Sequence, residues 1–151
     1  MKKRKQNILI DTLFLLPTLG VGVSKEIEEA IKIFRKFNIF YIEAGILEAM
    51  WVTLKVVSKS KLNRVKLGLE AIRNSYIQLE PPIQTYIDAI EIYHKGHRDY
   101  IDALHYAAAW KTQTPFLTVD KTFIEFLREN NYSVEGTIIT PSELKVIAEG
   151  L

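Results

Sequence analysis

Two kinds of apolar run alternate along this chain, and the alternation predicts its architecture. Ile8-Leu9-Ile10 is a short unbroken apolar stretch between Asn7 and Asp11. A run of this kind with polar ends predicts a buried strand. Ile39 to Ile42, Pro115 to Val119 and Thr137 to Ile139 repeat it. Between these runs the apolar positions fall at helical spacing. Thr12 to Leu16 is helix-compatible and leads into a loop through Pro17, Gly20 and Gly22. Ser24 is suited to cap a helix with Glu26, Glu28 and Glu29 in its first turns, where the helix dipole favours acids. Its face would be Ile27, Ala30, Ile31, Phe34 and Phe37, with Asn38 as the stop.

Further helices are predicted over Ala44 to Val57 and over Lys59 to Asn74, the latter as one helix or a pair. Glu80-Pro81-Pro82 is a break. After it Ile83, Tyr86, Ile87, Ile90 and His94 share a helical face, with Gly96 as terminator. Tyr100 to Lys111 and Thr122 to Glu129 are the next two helices. Thr140-Pro141-Ser142-Glu143 has capping-box spacing with proline at the first helical position, which predicts a last helix to Glu149. Strands alternating with helices predict an α/β domain, its central sheet mainly parallel, of four to five strands and flanked by helices. Ligands of such sheets bind beyond the carboxyl ends of the strands. The expected division is a basic tail over residues 1–6 and one domain over 7–151, with no internal repeat or linker.

Composition changes this picture little. Hydrophobic residues at 48% and charged residues at 25% match an ordinary soluble protein, and 151 residues suffice for one domain with a real core. A net charge of +2 is too small to imply a polyanion partner by itself. The absence of cysteine excludes disulfides and thiol nucleophiles. Lys2, Lys3, Arg4 and Lys5 precede a mostly apolar run and superficially resemble a signal peptide. Asp11 lies inside that run, Pro17 and two glycines break it, and no small-residue cleavage site follows. A cytoplasmic protein without a membrane span is expected.

The candidate chemistry is carried by acids. Asp11 and Asp120 each follow a buried strand directly and would emerge at the same sheet edge. Asp102 lies among Ile101, Ala103 and Leu104, and Glu48 between Leu47 and Ala49-Met50-Trp51. An unpaired buried charge is costly, so four acids in apolar contexts point to a shared cation. Oxygen-only ligation favours Mg²⁺ or Mn²⁺ over zinc. Each acid also has an ordinary alternative: Asp11 as a helix cap, Asp120 as a turn residue, Asp102 and Glu48 as helix acids paired with lysines. Asp99 suits both an N-cap and the outer shell of a metal site. The Thr12 hydroxyl could bind a water or a substrate phosphate, or simply start a helix. Six basic residues against one acid between Lys55 and Arg73 form the densest basic surface. Lys55, Lys59 and Lys121 are the candidate phosphate contacts. His94, His97 and His105 show no zinc-ligand pattern, and no phosphate loop, Walker lysine or serine elbow is present. Leu13 stands where a haloacid-dehalogenase-type phosphatase needs its second aspartate.

Taken together, Ile8-Leu9-Ile10-Asp11-Thr12, Leu47-Glu48, Tyr100-Ile101-Asp102-Ala103-Leu104-His105-Tyr106-Ala107-Ala108-Ala109 and Phe116-Leu117-Thr118-Val119-Asp120-Lys121-Thr122-Phe123 resemble the PIN-domain nucleases, particularly the VapC-like toxins. The resemblance implies that Asp11, Glu48, Asp102 and Asp120 take the acidic metal-site positions and Thr12 the hydroxyl position beside the first. It further implies Mg²⁺- or Mn²⁺-dependent hydrolysis of single-stranded or structured RNA, a cognate antitoxin protein and a homodimer. Leu13 departs from the pattern where many relatives carry a polar residue, and Glu43 departs where a small hydroxyl residue is common. A non-catalytic PIN-like module that binds RNA or protein is the competing reading.

Overall fold

Ile8, Leu9 and Ile10 are completely buried, and that burial fixes the centre of the molecule. Each such side chain contributes roughly 1.5–3 kcal/mol. They belong to β1 (Asn7–Ile10), the middle strand of the sheet. The computed structural model describes residues 3–151, so the Lys2 end of the basic tail lies outside the described residues. The other strands are β2 (Asn38–Tyr41), β3 (Ile77–Gln78), β4 (Phe116–Leu117) and β5 (Ile138–Ile139). All five pair in parallel, in the order β3-β2-β1-β4-β5.

Seven helices flank the sheet: α1 (Lys25–Ile31), α2 (Glu43–Val56), α3 (Leu62–Ser75), α4 (Ile83–His94), α5 (Tyr100–Thr112), α6 (Lys121–Glu129) and α7 (Pro141–Glu149). The period-2 alternation of β1 divides the core. Ile8 and Ile10 join residues of α1, α3 and α7, whereas Leu9 joins α4, α5 and α6. Both faces of the sheet are therefore covered, as an all-parallel sheet requires. The order reverses between β1 and β4, which makes their carboxyl ends the topological switch point. No helix among the described residues is long and apolar enough to cross a membrane.

Several local features differ from the pattern in the sequence. Thr12 to Leu16 does not form a helix; 3₁₀ turns occupy Thr12–Phe14 and Pro17–Leu19. The first full helix stops at Ile31, and Phe34–Lys36 form a further 3₁₀ turn before Asn38 begins β2. On α4 the face of Ile83, Tyr86, Ile87 and Ile90 is exposed, Ile83 by 86%. Its packed residues are Thr85, Ala89 and Ile92. Gly68 lets α3 close on the Pro17–Leu19 turn: a Cβ there would overlap the Thr18 carbonyl. Arg64 donates to that same Thr18 carbonyl at 2.5 Å.

Candidate active site

Asp11 leaves β1 at the switch point and is almost fully buried. Its Oδ1 accepts the Thr12 N–H at 2.7 Å, which caps the first 3₁₀ turn. Its Oδ2 accepts the Thr118 hydroxyl at 2.9 Å. Thr118 itself is fully buried just past β4, and its oxygen also accepts the Asp120 N–H at 3.2 Å. One hydroxyl thus bridges the segments that carry Asp11 and Asp120. Burial pushes the Asp11 carboxyl up to about 6, against the opposing pull of Thr118 and the Thr12 N–H.

Asp120 caps α6, its Oδ1 accepting the Phe123 N–H at 3.0 Å. Asp99 caps α5 in the same way through the Asp102 N–H at 3.1 Å. Capping and membership of the acidic cluster are compatible, because each cap uses only one carboxylate oxygen. Asp102 sits in the first turn of α5 and is only 8% exposed. Burial, and then the charges of Asp11, Asp99, Asp120 and Glu48, push its carboxyl up to about 9. Glu48, on α2, is also raised, first by burial and then by Asp99 and Asp11. Thr12 opposes that rise, although its hydroxyl makes no hydrogen bond of full geometry.

Five acids therefore converge at one edge of the sheet and disfavour one another's ionisation. Among the described residues, no lysine or arginine forms an ion pair with any of them. Nor are three of them drawn together tightly enough to hold a metal ion as they stand. Mutual repulsion without a cation gives that spread a physical reason. The donor set nonetheless fits a hard divalent cation. It is all oxygen, it lacks positive charge, and beside it lies the buried Thr12 hydroxyl without a partner.

The remaining candidates divide. Glu43 begins α2 but pairs with Arg73 at 2.8 Å, a guanidinium that also donates to Tyr41 and Gln78. Its charge is thereby met away from the cluster. Lys121 is exposed and directly follows Asp120. Lys55 and Lys59 are exposed beyond Glu48, Lys55 by seven residues or about 10 Å along the helix axis. His105 is buried, donates from Nδ1 to the Ile101 carbonyl at 2.8 Å and stacks on Phe116, which makes it a packed residue.

Two polar contacts at this edge escaped the sequence. Thr118 carried a faint signal, a hydroxyl two residues before a strand-end aspartate. His97 carried none, being a loop histidine without ligand spacing. Its Nε2 lies 3.1 Å from Asp102 Oδ2. Burial holds the imidazole below its ordinary value. With Asp102 raised, the pair is a neutral hydrogen bond rather than an ion pair at pH 7 when no cation is present.

An all-parallel α/β fold with acids at its switch point defines the class of protein. Residues 8–127, a stretch that contains all five acids, match the family model of the PIN domain, and the chain belongs to that family. The crystal structure of PAE2754 from Pyrobaculum aerophilum is similar over 97% of this chain and 97% of its own, with a TM-score of 0.63 and 16% identity. FitAcB from Neisseria gonorrhoeae is similar over 89% of this chain and 97% of its own, with a TM-score of 0.56 and 11% identity. At such identities the likeness is one of fold. No curated protein sequence matches the chain.

Proposed function

We propose that this protein is a divalent-metal-dependent endoribonuclease, acting as the toxin of a toxin–antitoxin pair. The observation that carries the reading is the convergence of five acids without a basic partner. Asp11, Glu48, Asp102 and Asp120 would hold Mg²⁺ or Mn²⁺, with Asp99 behind them. When bound, such an ion supplies positive charge against the phosphate and a more acidic water for attack.

The chain's own groups do the rest. Thr118 and the Thr12 N–H hold the Asp11 carboxylate in one orientation. The caps made by Asp99 and Asp120 fix those side chains to rigid helix starts, leaving one oxygen of each without a protein partner. Glu48, whose proton affinity is raised, is suited to hold the proton released from the attacking water. The Thr12 hydroxyl can donate to a phosphate oxygen. Lys121, and more distantly Lys55 and Lys59, can meet flanking phosphates of a single-stranded or structured RNA. The antitoxin and the homodimer rest on the VapC-like resemblance of the sequence.

Incubating the purified protein with RNA in Mg²⁺ or Mn²⁺ tests the reading. Wild type should cut, Asp11→Asn should not, and EDTA should stop the reaction. RNA that is bound but left intact under all metal conditions would instead make this a binding module.

A further inference from the structure

His97 is the one side chain that touches an acid of the cluster and also packs on the helix that carries another. It lies between α4 and α5, directly after Gly96. Gly96 has φ +127°, a conformation that L side chains rarely adopt, and this turn feeds the imidazole inward. The ring stacks on Phe123 of α6 with centroids 4.2 Å apart and planes 21° apart. Phe126, one turn further along α6, lies 5.4 Å from the same ring. Phe123 is also the residue whose N–H is bound by Asp120 Oδ1. From this seat Nε2 reaches Asp102 Oδ2.

We propose that His97 is a positioning residue, which holds the Asp102 carboxylate in register with Asp120 by donating from Nε2 while its ring is wedged against α6. An ionised carboxylate only accepts, so Nε2 must carry the hydrogen whenever Asp102 is charged. Fixing Oδ2 in this way leaves Oδ1 as the oxygen without a protein hydrogen bond. The single ring then sets the separation of two helix starts, because any slide of α6 relative to α5 breaks either the stack or the hydrogen bond. Outer groups that orient ligating carboxylates typically govern metal affinity by 10–100-fold. This role rests on the acidic cluster being the metal site.

The test uses Mn²⁺ itself, followed by the loss of its free-ion electron paramagnetic resonance signal on titration into the metal-free chain, with no RNA present. His97→Phe keeps the aromatic wedge and removes the donor. His97→Gln restores an N–H at similar reach. Asp11→Asn reports on the cluster independently. His97→Phe should weaken Mn²⁺ binding roughly 10-fold or more, and His97→Gln should recover part of the loss. If Asp11→Asn weakens binding and His97→Phe does not, the positioning role is wrong and the acidic site stands. If wild type fails to bind Mn²⁺, or neither variant changes binding, both are wrong. The histidine nitrogen spectrum of the wild type in Mg²⁺ is a check that needs no variant to fold. It should show His97 protonated at Nε2, and a bare Nε2 overturns the role.

Discussion

The Thr118 hydroxyl donates to Asp11 Oδ2 at 2.9 Å and accepts the Asp120 N–H at 3.2 Å, so two acids from different strands share one buried oxygen. Replacing Thr118 with valine keeps the volume and removes both bonds. Leaving the partners unsatisfied should cost about 1–3 kcal/mol in stability. It should also weaken Mn²⁺ binding, because Asp11 loses its anchor. Thermal unfolding together with a Mn²⁺ titration decides this. A variant as stable and as tightly binding as wild type would show that the bridge is incidental.

The pH dependence of the metal-free protein follows from Asp102 and Asp11. Their folded pKa values, about 9 and about 6, lie above the ordinary Asp value of 3.8. The folded state therefore binds more protons than the unfolded state across that window. Its stability should be greatest near pH 4 and fall as pH rises toward 9. In EDTA the melting temperature should decline over this range, and saturating Mn²⁺ should remove much of the decline. Asp102→Asn should be more stable than wild type in EDTA at pH 8. A melting temperature that rises through the window contradicts the direction of these shifts.

The sequence showed most of the sheet and all of the acids. β1, β2, β4 and β5 are apolar runs that end at polar residues, and each lies within two residues of its expected place. β3 was illegible because it is two exposed residues, Ile77 and Gln78, paired only through their backbone with the edge of β2. Periodicity identified the face of Ile83, Ile87 and Ile90 on α4 without saying which way it points. The small residues Thr85 and Ala89 let α4 lie close on the core, and the larger isoleucines remain outside. The acids were visible because charge among apolar neighbours is improbable without a purpose. His97 was not, because its partner depends on the φ of Gly96 and on two phenylalanines of α6.

Self-association has an apolar surface to use. Trp51 and Trp110 are 53% and 57% exposed, and the α4 face adds Ile83, Tyr86, Ile87 and Ile90. A stable interface buries about 800 Å² on each partner. Sedimentation of wild type at micromolar concentration should give twice the monomer mass, and Ile87→Glu should shift the protein toward monomer. A wild-type monomer under those conditions removes the stable dimer from the account.

The chemistry of the cut ends tests the central claim most directly. Cleavage through the RNA's own 2′-hydroxyl leaves a cyclic phosphate and calls for a paired acid and base, often two histidines. Here His105 is packed against Phe116 and His97 is bound to Asp102, which leaves the carboxylates and an activated water. Mass spectrometry of RNA fragments should show 5′-phosphate and 3′-hydroxyl ends. These should form only in Mg²⁺ or Mn²⁺, and a 2′-deoxy substitution at the cut should slow the reaction only modestly. Cyclic phosphate ends that persist in EDTA would contradict the mechanism.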